Sequence, residues 1–409
     1  MSVSADKPFE MAHSNAHGWL IVIVAILMQT VISGIAISSF SFWIPSWMEE
    51  YGVGRAHIMT TLTGALLVSA LVGPFGGYLM DRWSVRGVAC SGLLIFSAGA
   101  VLMGYAHAFW QIQLLYAIAF GLGLGLAGTP AAQTMTAKAF EQKQGAALSL
   151  VVVGLMLGGV VMPKIIASLL ASYDWRTVAR CISVGGIILI PIIGSVVRIQ
   201  TRNVPGRAVL PASAEWTIRS ILSAPQFWIL LIVFLPEYGA MMGYIANVAQ
   251  FSAGWGLSAS EAASCLSLTG LAAICVTPIV GRLADRFDPR YVLLAGYLLA
   301  AGGFLAAVGG TSGAAKIVAA CLLIGTGTAF FYPMQGILVA SQFGARSFGR
   351  ALGLLNFFLL IGAAAGPAGG ALRDTFGNYN LFFALSALLP VLCSAALFLR
   401  TKPAVQSLR

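Results

Sequence analysis

The sequence predicts an all-α membrane protein of twelve transmembrane helices in two pseudo-symmetric six-helix halves. Three observations carry that expectation. The composition is 59% hydrophobic and 9% charged, against about 25% charged residues in a soluble domain. Apolar runs of about 20 residues, the length that crosses a bilayer as a helix, recur with short polar breaks between them. The chain also repeats itself. Gly77-Tyr78-Leu79-Met80-Asp81-Arg82-Trp83-Ser84-Val85-Arg86 returns 204 residues later as Gly281-Arg282-Leu283-Ala284-Asp285-Arg286-Phe287-Asp288-Pro289-Arg290, with the Gly, the Asp-Arg pair and the last Arg at the same spacing.

Taken in order, residues 1–17 are polar and read as a short cytoplasmic N-terminal tail, with no cleavable signal pattern. The first half covers 18–198, with spans at 18–44, 56–78, 87–105, 109–136, 145–170 and 177–198. Residues 199–225 are the longest polar interruption and read as a cytoplasmic linker. Within it, Glu215–Leu222 has the pattern of a short helix at the membrane surface. The second half covers 226–400, with spans at 226–250, 259–281, 291–310, 315–342, 350–371 and 380–399, and 401–409 form a second cytoplasmic tail.

The repeat extends into the spans. Gly145, Ala147, Leu148, Gly158 and Pro163 in the fifth match Gly349, Ala351, Leu352, Gly362 and Pro367 in the eleventh, and Pro130 and Phe140 match Pro333 and Phe343. Parallel six-span repeats related by an axis along the membrane normal are a transporter architecture, with the site between the halves at mid-membrane. Small residues in the fourth and fifth spans (Gly121, Gly123, Gly125, Gly128, Gly154, Gly158) suit close helix packing and, with Pro163 and Pro367, bending.

Charge placement sets the orientation. Lys and Arg favour the loops that hold both tails by about three to one, which puts both termini in the cytoplasm. The formal charge of +10 is thereby a feature of insertion and implies no nucleic-acid partner. The six cysteines lie in or beside apolar runs without metal-ligand spacing, so they read as small buried hydrophobes and no disulfide is expected. No catalytic constellation, metal site, cofactor motif or phosphate-binding loop appears, so neither an enzyme nor direct coupling to ATP hydrolysis is expected.

The two charged turns resemble the loop 2–3 and loop 8–9 signature of the major facilitator superfamily (MFS), and the resemblance covers essentially the whole chain. His17-Gly18-Trp19, Tyr51-Gly52-Val53-Gly54-Arg55-Ala56, Gly145 to Pro163, and Gly366-Pro367 followed by Asp374, Gly377 and Tyr379 resemble its monocarboxylate transporter and oxalate/formate antiporter branch. The resemblance implies that Asp81, Arg82 and Arg86, with Asp285, Arg286 and Arg290, form a cytoplasmic gate that latches the halves. The alternative is that they only anchor helix ends and set topology. It also implies that spans 1, 4, 7 and 10 line the cavity.

Ionisable residues inside the spans are the sharpest candidates, because a charge in a bilayer costs several kcal/mol and usually faces a cavity. Glu237, in Leu235-Pro236-Glu237-Tyr238-Gly239, is the candidate proton-coupling group, the alternative being a structural carboxylic acid. Lys164 after Pro163 is a candidate anion contact, or a lysine reaching for the interface. Gln29, Tyr116, Tyr332, Gln335 and Asn356 complete the candidate substrate contacts, each also able to serve as an interhelical hydrogen bond. Thr129, Gln133, Tyr244 and Asn247 lie off the midplane. Carboxylate carriers of this branch are expected to hold an Arg in the eighth span, and this chain has none there.

The expected function is secondary active transport of a small organic solute, a monocarboxylate or related organic acid, by alternating access with proton coupling or exchange. The alternative is a proton-driven exporter of an amphipathic or drug-like compound. The expected partners are that solute, protons or a counter-substrate, and membrane lipid. The transport unit is expected to be a monomer in a bacterial inner membrane.

Overall fold

The computed structural model describes residues 7–140, 144–197, 216–310 and 313–399. Among these, every regular element is helical. Lipid imposes that choice, since a helix satisfies its backbone N–H and C=O groups internally. Eleven stretches of the described chain are long and apolar enough to cross a membrane. One of them, His57–Met103, has 47 residues. That is about 70 Å of helix, more than twice a hydrocarbon core of about 30 Å. The stretch turns at Met80–Ser84, where Ser84 is extended and its hydroxyl accepts from the Gly87 N–H. The described chain therefore makes twelve crossings, as the sequence predicts.

Several crossings are interrupted, and glycine explains where. The first runs as Lys7–Ser33, passes through a wide-turn (π) segment Gly34–Ser38 and continues as Phe40–Tyr51. A Cβ on Gly34 would lie 2.7 Å from the Gly158 carbonyl, and Cβ atoms on Gly154 and Gly158 would lie 2.7 Å from the Ile26 and Thr30 carbonyls. The first and fifth (Gln144–Ser172) crossings thus touch through backbone, and Thr30 Oγ1 donates to the Gly154 carbonyl at 3.0 Å. The fourth crossing (Phe109–Leu115, Tyr116–Phe120, Gly121–Ala127) restarts as Thr129–Ala139 after Gly128. Pro130 sits in that new first turn, where its missing N–H is not needed. The tenth is split likewise into Ala314–Thr328 and Phe331–Phe343, and the eleventh into Phe348–Leu359, a tight Leu360–Ala364 and Ala365–Phe376.

The remaining crossings are single helices: Trp175–Val196, Pro225–Gly254, Ala259–Arg286, Pro289–Ala307 and Asn380–Ser394. Their starts carry the expected caps. Asp174 accepts from the Thr177 N–H, Ser258 and Glu261 form a capping box, and Asp288 accepts from the Arg290 N–H. Of the expected linker 199–225, residues 199–215 lie outside the described chain. The short helix expected there is present as Ile218–Ser223.

The chain divides into two compact units, Met1–Thr217 with Ala345–Leu354, and Ile218–Gly344 with Leu355–Arg409. The start of the eleventh crossing therefore groups with the first unit, whereas the sequence-based halves place it in the second. The reason is a glycine contact. A Cβ on Gly77 would overlap the Gly349 carbonyl, and one on Gly353 would overlap the Gly73 carbonyl.

Each unit has its own aromatic core. In the first, Trp43 and Trp47 stack with ring centres 6.1 Å apart, and Trp47 meets Tyr116, Phe109 and Trp175 edge-on. A clamp closes the end of this core. Arg176 Nη1 and Nη2 donate to Glu50 Oε2 and Oε1 at 2.7 and 2.5 Å, and Trp175 Nε1 donates to Oε2 at 2.6 Å. Arg176 also donates to the Ala106 carbonyl, so ends of the first, third and sixth crossings are tied together. In the second unit, Asn247 Nδ2 donates to the Gly243 and Gly366 carbonyls, both at 2.9 Å, and Tyr379 donates to Asn247 Oδ1. That network ties the seventh crossing to the eleventh.

The Arg176 fork holds the Glu50 carboxyl below its ordinary value of 4.5. A depressed carboxyl stabilises the fold above its unfolded value, and the contribution is lost as pH falls through the folded value. Glu50→Gln should therefore cost about 1 kcal/mol at neutral pH, a figure kept small by the partial exposure of the pair. Melting curves of the two proteins should converge as pH drops below the Glu50 value. A gap that stays constant into acid would contradict the clamp.

Candidate functional site

In the first unit the interruptions place polar groups inside the bundle. Gln29 is fully buried on the first crossing, and its Nε2 donates at 2.5 Å to the hydroxyl of Thr129, the residue at which the fourth crossing restarts. Gln29 Oε1 has no partner. Thr129 is the member of this pair that sequence reasoning placed away from the site. Its signal was the Gly128-Thr129-Pro130 break, which brings a hydroxyl to a helix start. Tyr116 is also fully buried, but its hydroxyl donates to the Ala36 carbonyl at 2.9 Å and its ring stacks on Phe120 at 4.2 Å. It has the surroundings of a satisfied core residue. Lys164 is exposed on the fifth crossing, one residue after Pro163.

In the second unit the seventh crossing carries two adjacent groups that face different neighbours. Glu237 is 1% exposed, and neither carboxylate oxygen has a partner. Tyr297 of the ninth crossing donates its hydroxyl at 3.1 Å to the Val233 carbonyl, one turn before Glu237. Tyr238 packs instead on Phe331, with ring centres 5.9 Å apart, and Phe331 meets Tyr332 edge-on at 4.9 Å. One turn below Tyr332, Gln335 Nε2 donates to Asn356 Oδ1 at 2.9 Å, joining the tenth crossing to the eleventh, and Gln335 Oε1 has no partner. The structure thus brings Gln335 and Asn356 together and sets Tyr238 beside the ring of Phe331, a contact the sequence did not single out.

The two copies of the charged turn have different surroundings. The Asp81 side chain has no exposed surface. It lies 3.0 Å from Lys138 Nζ and accepts the Gly349 and Arg350 N–H groups at 3.3 and 2.9 Å. Those N–H groups belong to the first turn of the eleventh crossing, where a carboxylate also meets the positive end of the helix dipole. Arg350 itself reaches Asp81 at 3.7 Å, lies over the Tyr78 ring and donates to the Trp216 carbonyl. Nothing local in the sequence joins Lys138 or Arg350 to Asp81, and only the packing brings them together. Arg82 donates to the Tyr78 hydroxyl, and Arg86 donates to the Gly194 carbonyl at 3.2 Å. In the second copy Asp285 and Arg286 are exposed at the end of the eighth crossing. Arg290 lies 3.9 Å from Asp288, which is the residue that caps the ninth crossing.

Comparison with known proteins agrees with this architecture. Residues 26–367 and 238–408 match the model of the Major Facilitator Superfamily. The oxalate:formate antiporter of Oxalobacter formigenes is 25% identical over 384 residues, covering 90% of this chain and 88% of that protein. Monocarboxylate transporter 3 of Rattus norvegicus is 25% identical over 415 residues, covering 98% of this chain and 83% of that protein. The structure of the human organic anion transporter MFSD10 superimposes with a TM-score of 0.73 at 16% identity, over 93% of this chain and 99% of that one.

The unequal burial of the two turns has a measurable consequence. Asp81→Asn leaves Lys138 without its carboxylate partner in a buried setting and should destabilise the first unit by about 3 kcal/mol. Asp285→Asn, at an exposed position, should cost less than Asp81→Asn. Equal losses in thermal unfolding of the two variants would contradict the assigned burial.

Proposed function

The chain belongs to the Major Facilitator Superfamily, and on that premise we propose that it moves a small organic acid of the monocarboxylate kind, by proton coupling or exchange. Membership makes it an integral, multi-pass membrane protein and a secondary transporter, not an enzyme. Two relatives support the substrate class, since one is an oxalate:formate antiporter and the other a monocarboxylate transporter, and each aligns over nine-tenths of this chain or more.

Glu237 carries the coupling half of the reading. Both of its oxygens are buried without a partner, and holding an isolated carboxylate charged in such surroundings costs several kcal/mol. Taking up a proton in one state of the carrier and losing it in another turns that cost into coupling. Gln29, Lys164, Tyr332, Gln335 and Asn356 are the proposed substrate contacts, with Tyr116 behind them as support. Asp81 with Arg82 and Arg86 on one side, and Asp285, Arg286 and Arg290 on the other, are the proposed cytoplasmic gate. The division into residues 18–198 and 226–400, a bacterial inner membrane and a monomeric transport unit belong to the same reading, as do cytoplasmic termini, which the Lys and Arg bias supports.

One observation favours a second reading, export of an amphipathic compound. The eighth crossing has no Arg or Lys before Arg282, and its neighbour Lys316 is exposed at the start of the tenth. An anion would then rest on hydrogen-bond donors and Lys164 alone.

The test is transport in proteoliposomes under an imposed pH gradient, with labelled formate, oxalate, lactate and benzoate. Glu237→Gln should abolish gradient-driven accumulation and leave exchange measurable. Unchanged accumulation would refute the coupling role. Resistance to amphipathic compounds in cells, without uptake of any organic acid, would replace the first reading by the second.

A further inference from the structure

The second unit holds a pair of reactive side chains that the transport reading does not use. Cys265 on the eighth crossing and Cys321 on the tenth are both buried and both free. The register of the two helices follows from the neighbours on either side of the pair. One turn further along, Gly325 sits so close to Thr269 that a Cβ at 325 would overlap the Thr269 carbonyl. One turn earlier, Ile317 belongs with Leu257 and Trp255 to the same small apolar cluster as the two cysteines. These three levels place the helices parallel, with Cys265 opposite Cys321.

A third side is closed by Tyr244 of the seventh crossing. Its hydroxyl lies 3.8 Å from the Cys321 sulfur and 3.1 Å from the Thr269 hydroxyl, which donates to the Cys265 carbonyl at 2.9 Å. A disulfide needs Cα atoms roughly 4.4–6.8 Å apart, and the glycine contact one turn away, where a Cβ on Gly325 would lie 2.9 Å from the Thr269 Cα, brings these two backbones close together.

We infer that Cys265 and Cys321 are an oxidation site, which a peroxide closes to a disulfide joining the eighth and tenth crossings. One thiol sulfur attacks the peroxide O–O bond, becoming a sulfenic acid and releasing one water. The second thiol displaces that hydroxyl, so the S–S bond forms and a second water leaves. Two S–H bonds and one O–O bond break, and the two sulfurs together give two electrons to the peroxide. The product fixes the Ala314–Thr328 piece of the interrupted tenth crossing to the continuous eighth. Sequence reading gave no sign of it, because 55 residues separate the cysteines and their spacing matches no motif.

The experiment treats the full-length wild-type protein in detergent with hydrogen peroxide, then denatures, alkylates and digests it. The expected result is a Cys265–Cys321 cross-linked peptide that reductant dissolves, with both residues protected from alkylation until reduction. Peroxide should also raise the melting temperature of the wild type and leave that of Cys265→Ser and Cys321→Ser unchanged. The wild-type peptide map decides the matter even if a variant folds poorly. Alkylation of both residues after peroxide, or sulfinic acid on either without a cross-link, would overturn the assignment.

Discussion

The buried carboxylate of Asp81 is the constraint around which the first unit is assembled. Its side chain is wholly removed from solvent, and a charge so placed is tolerated only when partners replace its lost water. Those partners come from distant parts of the chain. Lys138 arrives at the end of the fourth crossing, and the Gly349 and Arg350 N–H groups arrive with the eleventh. Glycine makes the meeting possible, because side chains at positions 77 and 353 would collide with the opposing backbone. Charge compensation and small residues thus act as one device, and together they draw Ala345–Leu354 into the first unit.

The interruptions in the helices follow a related logic. A membrane helix is broken safely only where the freed groups face protein or a polar cavity. The restart at Thr129 is met by Gln29, and the tenth crossing restarts at Phe331, four residues before Gln335 and its bond to Asn356. Corresponding breaks in the fourth and tenth crossings echo the sequence repeat at Pro130 and Pro333. Gln29 Oε1, Gln335 Oε1 and the Glu237 carboxyl are among the buried polar atoms left without a partner, and they are the groups proposed above to meet a solute or a proton.

Much of this was legible in the sequence because it depends on local pattern. Apolar run length gave the twelve crossings, and a lone Glu in an apolar span marked Glu237 without any contact information. What depends on long-range partners was not legible. Asp81 and Asp285 sit in near-identical turns, yet one is buried among cations and helix N–H groups and the other is exposed. Tyr116 read equally as a solute contact or an interhelical hydrogen bond, and only packing shows its hydroxyl on the Ala36 carbonyl. The fork of Arg176 on Glu50 and the facing of Cys265 and Cys321 likewise arise only when separate helices pack.

The most direct test of the central claim is thermal unfolding of the detergent-purified protein against monocarboxylates, dicarboxylates, aromatic acids and neutral amphiphiles, at mildly acidic and at neutral pH. A ligand that binds the native state raises the melting temperature with its concentration. A carrier of organic acids should be stabilised by a carboxylate, with a melting temperature that rises with the carboxylate's concentration. Stabilisation by neutral or cationic amphiphiles alone, with no response to any carboxylate, would contradict the substrate assignment while leaving the fold intact.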